Sequence, residues 1–418
     1  MVPTRRHDTM ICVIPPPAES AKGSSARSAG PVRPSAGDAM KGCAPPAARI
    51  GSGLLLVEAT AEPRRCTAMW YVGLDIGLKW HYVVVMDGEG HIHQQQRLPN
   101  DPLVIQRFFE TLEGPAKVVL EATGNWVAVY ERVEPYVQEV LLAHPLKVKA
   151  IASARIKTDK IDATTLAHLL RANLIPQAYI PPRAVREWRE IVRHRAFLVR
   201  LQTRVKNRIH TLLAKRGVTP PGHSDLFGVA GRTWLTTLAL PDPYGAMRTR
   251  YLALLERFAQ QIREVERTID ATVQATLEAR LLETIPGIGR YLALLILAEI
   301  GDIHRFPDPK RLVAYAGLCP STYASGQTLR HGHLTHQGSP WLRWALVEAA
   351  CHVWQAPHSR LAQLHQRLCQ RRDVKTARVA VARKLCTILF AMLSKSEPYR
   401  DGPPAPVIPL GASDAARR

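Results

Sequence analysis

Four acidic residues occupy positions where strands and a helix are expected to begin, end or be buried. Asp75 lies inside the apolar run YVGLDI, and Glu121 closes a second β-branched run, VVLEATG. Asp159 and Asp162 are three residues apart in KTDKIDA, which places them on one face at the start of a helix. A carboxylate in a buried strand costs free energy unless it has a partner or a metal ion. The pattern therefore favours a shared site.

Carboxylate oxygens are the ligands that Mg²⁺ prefers, and four of them could hold two ions, with Mn²⁺ as an alternative. Two such ions can activate an attacking oxygen and stabilise a leaving one in phosphodiester chemistry. Each acid also has an ordinary explanation. Asp159 and Asp162 suit the positive end of a helix dipole, and Glu121 could be a surface group. The ordered set of four is what favours a metal site at Asp75, Glu121, Asp159 and Asp162.

Composition indicates the class of partner. The chain has 418 residues, 46% of them hydrophobic, and a formal net charge of +21. Such an excess favours a polyanionic partner, most simply nucleic acid, over a basic protein that merely stays soluble. No apolar run approaches the ~18 residues that span a bilayer, so we expect no membrane partner. The seven cysteines are scattered and form no CxxC pair, which suggests neither a zinc ribbon nor a disulfide framework and fits a reducing cytoplasm.

The elements that must position the acids follow from periodicity. Residues 1–68 are rich in Ala, Pro, Gly and Ser and are predicted to be disordered, unless translation starts at Met69. Residues 69–178 alternate strand and helix signals, which predicts an α/β domain with a mixed sheet that begins with a hairpin. Residues 179–280 predict long helices, and 281–395 a compact helical domain. The tail, 396–418, is expected to fray.

A long amphipathic helix is predicted over 183–216, and a second over about 248–282, as an antiparallel pair or as coiled-coil packing against another subunit. The first carries eleven Lys or Arg against two Glu. A solvated helix usually mixes its signs, so this balance favours contact with a phosphate backbone. The candidate contacts are Arg186, Arg189, Arg193, Arg200, Arg204, Lys206 and Arg208.

The turn TIPGIGR, between two apolar helices, is typical of a helix-hairpin-helix element. In such an element the amides at Gly287 and Gly289 and a helix N-terminus approach a DNA phosphate. A plain connection between two helices explains the same residues equally well.

The motifs GLDIG, LEATG and KTDKIDA together resemble the Asp-Glu-Asp-Asp signature of DEDD-type insertion-sequence transposases, the one-ten family. A second block, LVAYAGLCPSTYASGQTLRHGHLTHQGSPWLRWALVEAA at 312–350, resembles the family's C-terminal block. The resemblance covers about 69–395. It implies a RuvC-like, ribonuclease H-like domain with the four acids as Mg²⁺ ligands, and a C-terminal transposase domain. It also implies DNA as substrate, a guide RNA from the element, and a dimer or tetramer whose subunits share active sites.

The resemblance also implies a nucleophilic serine, which matches Ser325 in STYASGQT. Residues alone would make Ser325 a loop serine, with Ser321 as a competing candidate. Arg330 and Arg343 are nearby cations that could meet the phosphate. The chain departs from the family pattern around Gly338, where His336 and Ser339 stand in place of a Lys and an Asn.

Three other functions fit part of this pattern. A RuvC-like junction resolvase or nuclease would use the acids without Ser325. An actin-like ATPase or sugar kinase can also open with GLDIG, but the second glycine-rich phosphate loop that it needs is not apparent in the sequence. A nucleic-acid-binding protein without catalysis would retain every activity without Asp75 and Asp162. The leading hypothesis is a DNA recombinase that moves its own insertion element.

Overall fold

The computed structural model describes residues 69–152, 158–222, 225–325 and 328–401, without the side chains of 324, 325, 328, 329 and 331. The chain divides after Ile180 into two compact units, which are described separately. The predictions for residues 1–68, and for the tail beyond residue 401, lie outside the described residues. None of the helices in these ranges combines the length and apolarity that crossing a membrane requires.

The first unit is built on a five-stranded mixed sheet of strand order β3-β2-β1-β4-β5. The strands are β1 (Trp70–Ile76), β2 (Trp80–Met86), β3 (Ile92–Pro99), β4 (Ala116–Glu121) and β5 (Glu139–Ala143). β2 is antiparallel to both β1 and β3, whereas β4 runs parallel to β1 and β5 parallel to β4. The predicted mixed sheet and its opening hairpin are confirmed.

One strand was missing from the prediction. β3 has the sequence IHQQQRLP, and six of its eight residues are exposed. Without an apolar face it carries no period-2 hydrophobic signal, and only its pairing with β2 makes it a strand.

Helices cover both faces of this sheet. They are α1 (Pro102–Glu110), α2 (Trp126–Val133), α3 (Pro145–Ile151) and α4 (Asp159–Arg171). Val72, Leu74 and Ile76 point to the face that packs with α1 and α2. The opposite face packs against the apolar stripe of α4, which includes Ala163 and Leu166. The alternation of side chains along a strand thus assigns each residue of β1 to one face or the other.

His81 of β2 is buried in the first unit at 1% exposure, near Asn100 and Arg132. Burial lowers the pKa of this imidazole below its usual 6.5, so the folded chain keeps it neutral. Since the unfolded chain binds the proton more readily, stability should fall as pH decreases below about 6.5. We expect His81→Phe to flatten the dependence of the thermal midpoint on pH between 5 and 7.5, measured by circular dichroism. The exposed His304→Gln is the control; parallel curves for wild type and His81→Phe would contradict this assignment.

The second unit is mainly helical. Its helices are α5 (Arg183–Lys215), α6 (Val229–Thr237), α7 (Tyr244–Ala275), α8 (Leu277–Glu283), α9 (Arg290–Ile300), α10 (Pro309–Tyr315), α11 (Pro340–His352), α12 (Arg360–Cys369) and α13 (Val374–Lys395). α9 lies at the centre of the largest apolar core, and its residues from Leu292 to Ile300 are all buried. The run YLALLILAEI is therefore a buried helix, as its length predicts.

The long helices α5 and α7 pack antiparallel within the chain. Val192, near the start of α5, shares a cluster with Ile269 and Val273 at the end of α7. Ile209, near the end of α5, shares another with Leu255 in the first half of α7. The second helix begins at Tyr244 and ends at Ala275, where a break at Thr276 separates it from α8.

Residues 281–395 are predicted to form a compact helical domain, but the structure adds two strands that this prediction lacks. β6 (Pro320–Ser325) and β7 (Thr328–Leu334) form an antiparallel hairpin between α10 and α11. Polar and small residues dominate both strands, so hydrophobic periodicity does not predict them. The hairpin matters because the candidate serine lies on it.

Candidate functional site

Asp75 and Glu121 lie side by side on one face of the first unit's sheet. β1 and β4 are parallel, and their register pairs Gly73 with Val119 and Leu74 with Leu120, so Asp75 and Glu121 are the next pair. Both belong to the face covered by α4, because Leu74 and Leu120 point to the opposite one. Two carboxylates from neighbouring strands thus lie at adjacent positions at the ends of β1 and β4.

Gly73 lets α4 approach this end of β1. A Cβ on Gly73 would lie 2.0 Å from the carbonyl oxygen of Ala163 and 2.7 Å from the amide nitrogen of Ala167. Only glycine fits at such a distance. Tyr71, earlier on β1, packs with Leu170 near the other end of the helix. α4 therefore runs antiparallel to β1, with its N-terminal turn toward Asp75.

Asp159 and Asp162 both lie in that first turn, which Thr158 caps through a 3.2 Å hydrogen bond from the Ile161 amide. Asp162 is half-buried and directly precedes Ala163, the residue above Gly73. Asp159 is exposed and lies 3.9 Å from Arg97 of β3. In the sheet, Asp75 of β1 pairs with Tyr82 of β2, and Tyr82 pairs with Arg97 of β3. Asp162 thus lies next to the residue of α4 that contacts Gly73, and Asp159 lies near an arginine.

The donor chemistry of this end of the sheet suits a divalent cation. Every candidate ligand is a carboxylate oxygen, the donor that hard cations such as Mg²⁺ prefer. Within the described ranges, no three His, Cys, Asp or Glu side chains form a ready metal-binding group. The DEDD signature nevertheless belongs to proteins that generally use divalent metal ions. The residues fit such an ion by type and by position on the sheet.

Ser325 is the last residue of β6, at the tip of the hairpin in the second unit, where its backbone pairs with Thr328. Its side chain, the following Gly326 and Gln327, and the side chain of His331 lie outside the described residues. The competing candidate Ser321 is at the start of β6 and half-buried. The hairpin places Ser325 at its far end and Ser321 near its base.

The base of the hairpin is held by backbone hydrogen bonds. The Thr335 amide donates to the Cys319 carbonyl at 3.0 Å, and the Ser339 amide donates to the Tyr315 carbonyl at 2.7 Å. Arg343 of α11 is half-buried, donates to the His336 carbonyl, and has a pKa lowered by burial. Arg330, on β7, is exposed. Of the two predicted phosphate contacts here, Arg330 is open to solvent and Arg343 supports the loop.

Glu299 is a buried carboxylate that the sequence reading missed. It is 3% exposed at the end of α9. One carboxyl oxygen accepts from Arg193 of α5 at 2.8 Å, and the other accepts from the Ser339 hydroxyl at 2.8 Å. Ser339 in turn caps α11 through the Leu342 amide at 3.1 Å. Glu299 thereby links α5, α9 and the loop after the hairpin. The Ser339 hydroxyl is the group that connects Glu299 to this loop.

The basic face of α5 splits into two parts. The part near its N-terminus is used inside the protein: Arg186 donates to the Pro181 carbonyl, Arg189 to the Ala298 and Glu299 carbonyls, and Arg193 to the Glu299 carboxylate. Arg189 thus binds backbone carbonyls at the buried C-terminal end of α9, a usual place for a cation, and Arg193 binds the side chain of Glu299 there. The expectation of a phosphate contact is therefore weakest at these three positions.

The later residues of α5 are more available to a ligand. Arg204 and Arg208 are exposed, and no described carboxylate forms an ion pair with either. Arg200 lies 5.9 Å from the ring centre of Trp341, and Lys206 lies 5.2 Å from that of Phe227. The phosphate-contact prediction stays open for these four positions and is strongest at Arg204 and Arg208.

The two glycines in the turn between α8 and α9 have different surroundings. Gly287 has a φ of +89°, and a Cβ there would lie 2.6 Å from the Ala349 carbonyl of α11. This glycine is required for packing inside the chain. Gly289 is exposed at the N-cap of α9, with nothing near its missing side chain. A phosphate contact at this turn thus stays a prediction at Gly289, while Gly287 has a sufficient structural role.

Comparisons with known proteins agree with both motif blocks. A model of DEDD transposases of the IS110 type matches residues 72–216, and a model of the transposase IS116/IS110/IS902 family matches residues 279–366. A probable family 20 transposase of Pseudomonas aeruginosa is 27% identical over 79% of this chain and 98% of its own length. The transposase for insertion sequence element IS1111A of Coxiella burnetii is 28% identical over 68% of this chain and 79% of its own.

A pilin gene-inverting protein of Moraxella bovis is also similar, with 27% identity over 68% of this chain and 81% of its own length. The first match begins in the first unit and extends through α5 of the second, the other match lies in the second unit, and each contains a motif block predicted to carry chemistry. The mixed sheet with helices on both faces fits the ribonuclease H-like architecture expected of the first block. The chain belongs to the IS110 family of DEDD transposases and is a DNA transposase.

Proposed function

We propose that this transposase cuts and exchanges DNA strands at the ends of its insertion element by a metal-dependent reaction that passes through a serine–DNA link. The observation that carries the proposal is the adjacent placement of Asp75 and Glu121 beneath the first turn of α4. Acids in such a position repel one another and a nearby DNA backbone. A cation that binds them and the phosphate removes both penalties.

The residues that would hold Mg²⁺, or Mn²⁺, are Asp75, Glu121 and Asp162, with Asp159 as the fourth. Two bound ions would supply charge neutralisation and activation of an oxygen nucleophile at a phosphodiester. Asp159 would exchange its long ion pair with Arg97 for this role. That exchange costs little, since both side chains are about two-thirds exposed.

In the proposed strand cleavage, the Ser325 hydroxyl oxygen forms a bond to the phosphorus, and the bond from phosphorus to a deoxyribose oxygen breaks. The serine proton is lost, and the departing oxygen gains one. A hydroxyl of the incoming strand then reverses the exchange and releases the serine, so no energy source is consumed. Arg330 would meet phosphate charge near the hairpin, and its exposure on β7 supports this role.

The proposed partners are the DNA of the element ends and target, a guide RNA encoded by the element, and further copies of the chain. The net charge of +21 and the open Arg204 and Arg208 support a polyanionic partner along α5. A dimer or tetramer would let Ser325 of one subunit meet the acids of another. The alternative is a RuvC-like resolvase or nuclease that uses the acids without a serine nucleophile.

The decisive experiment compares Ser325→Ala with Ser321→Ala, which removes the same hydroxyl near the base of the same hairpin. With a supercoiled element donor and divalent metal, we expect wild type and Ser321→Ala to give excision and a covalent protein–DNA product on denaturing gels. Ser325→Ala should give neither, because no other group replaces the attacking oxygen. Unimpaired strand exchange by Ser325→Ala would reject the serine step and favour the resolvase.

A further inference from the structure

A groove in the second unit has a lining that no part of the proposed reaction uses. It lies between α12, α13 and residues 397–401 and has a volume of about 830 Å³, within the usual size range of ligand sites. We call it the α12–α13 groove. Its walls include five cationic side chains, Arg360, Arg367, Lys384, Lys395 and Arg400, against two acids, Glu397 and Asp401.

The floor of the α12–α13 groove is apolar and comes equally from both helices. Leu364 of α12 and Ile388 of α13 are half-buried and form its accessible part, and the buried Leu361 and Met392 complete the lining. Cations lie at the ends of each apolar series: Arg360 and Arg367 on α12, and Lys384 and Lys395 on α13. Spacings of three and four residues place each series, with its cations, on one helix face. The groove therefore offers an apolar strip with cations at both ends.

Its wall on the C-terminal side is anchored. The Asp401 carboxylate accepts from the Arg360 amide at 3.0 Å and from the Tyr399 hydroxyl at 2.9 Å. The Tyr399 amide donates to the Thr284 hydroxyl at 2.8 Å. Asp401 is thus occupied in holding the wall. Arg367, Lys384, Lys395 and Arg400 form no ion pair with any described carboxylate, which leaves four cations for a ligand.

We propose that the α12–α13 groove binds a single-stranded segment of nucleic acid, with its bases on the apolar floor and its phosphates on Arg367, Lys384, Lys395 and Arg400. A single strand presents apolar base faces and an anion at every nucleotide, which matches an apolar floor with cations at both ends. A duplex keeps its bases stacked inside and would leave the floor uncovered. An acidic peptide matches the charge but has no regular apolar unit for the floor.

The test uses the full-length protein and labelled oligo-dT and oligo-rU of about twelve nucleotides, with fluorescence anisotropy at several salt concentrations. The triple variant Arg367→Gln, Lys384→Gln, Lys395→Gln should bind both probes at least about tenfold more weakly. The slope of log affinity against log salt should fall by about 2, as loss of three phosphate contacts predicts. Preference for dT or for rU identifies the strand as DNA or RNA.

A matched control removes three other exposed cations, Arg250→Gln, Arg257→Gln and Arg267→Gln on α7. It should change affinity by less than about twofold. A floor variant, Ile388→Asn, should weaken binding with the salt slope unchanged, because it removes no charge. Far-UV circular dichroism establishes that each variant is folded.

Three results would overturn the proposal. They are equal losses in the groove triple and the α7 triple, an equal effect of the groove triple on a duplex of the same length, and full displacement of the probe by polyglutamate of matched charge. The last would assign the groove to an acidic protein partner. Binding requires no strand cleavage, so its outcome is independent of Ser325 and of the acidic site.

Discussion

Asp75→Asn is expected to abolish most DNA strand cleavage, with a loss on the order of 10²–10³-fold or more, while the protein stays folded. The amide has the same size as the carboxylate, but it brings no negative charge to bind a cation. Because Asp75 stands next to Glu121 on the neighbouring strand, its neutralisation also removes a like-charge repulsion. The thermal midpoint should therefore stay within a few degrees of wild type.

The measurements are excision from a supercoiled donor and Mg²⁺ or Mn²⁺ binding by calorimetry. Both should be weakened in Asp75→Asn. In the absence of metal, the affinity of Asp75→Asn for DNA should not fall, because the variant has one negative charge fewer to repel the phosphates. The control is Asp87→Asn in the turn after β2, where Asp87 accepts hydrogen bonds from the Gly90 and His91 amides and the His93 ring. Those contacts lower the pKa of Asp87 and give it a local role.

If Asp75→Asn cleaves DNA as wild type does, the acidic site is not the catalytic centre. Retention of every activity by that variant together with Asp162→Asn would support a binding protein without catalysis. Loss of cleavage with unchanged metal affinity would instead locate the ions elsewhere in the chain. Asp87→Asn should behave as wild type in all assays, and its failure would indicate that the loss is not specific to the sheet edge.

Glu299→Ala is expected to destabilise the second unit by about 3–5 kcal/mol. It leaves the guanidinium of Arg193 without its carboxylate and the Ser339 hydroxyl without its acceptor, in a region where Glu299 itself is 3% exposed. Glu299→Gln retains one acceptor and should cost less. The double variant Glu299→Gln, Arg193→Met should recover part of the loss, because no unpaired charge is then left.

The natural control is Glu256 on α7, which also binds two arginines, Arg232 at 2.9 Å and Arg263 at 3.3 Å, but is 61% exposed. Glu256→Ala should cost far less than Glu299→Ala, because solvent screens an exposed ion pair. Urea unfolding followed by tryptophan fluorescence compares the variants. Equal costs at positions 299 and 256 would show that burial does not govern the Glu299 network.

Glu299 also affects the hairpin through its partner Ser339. Ser339 lies between the end of β7 and the start of α11 and is the N-cap residue of that helix. If the Glu299–Ser339 contact holds the base of the hairpin, Ser339→Ala should reduce excision with only a modest loss of stability. Its cap contributes about 1 kcal/mol. Excision at the wild-type rate in Ser339→Ala would limit Glu299 to a purely structural role.

The acidic site and the hairpin differ in how far the sequence predicts them. Asp75 and Glu121 are visible because each is an acid in an otherwise apolar strand, and the parallel register then brings them together. Arg97 is not visible, since β3 has no apolar alternation, and its relation to Asp159 depends on the pairing of β3 with β2. The sequence does not predict the β6–β7 hairpin either, because its strands also lack apolar alternation.

The arginines of α5 show the limit most clearly. Charge counting along the helix treats Arg189, Arg193, Arg204 and Arg208 alike. The fold separates them, because the buried end of α9 presents its carbonyls and Glu299 to the first pair, whereas the second pair faces solvent. Whether a cation serves the protein or a ligand depends on residues about a hundred positions away.

By itself, the sequence determined the mixed sheet, the long helices, the family and the four candidate acids, because these follow from local periodicity and from short motifs whose chemistry is intrinsic to their residues. Only the tertiary structure decided which acids face one another, that Gly73 admits α4, that Gly287 and Arg193 serve packing, and that α12 and α13 form a cationic groove with an apolar floor. Those outcomes depend on contacts between distant segments, and the free energy of burial, rather than residue type, selects them.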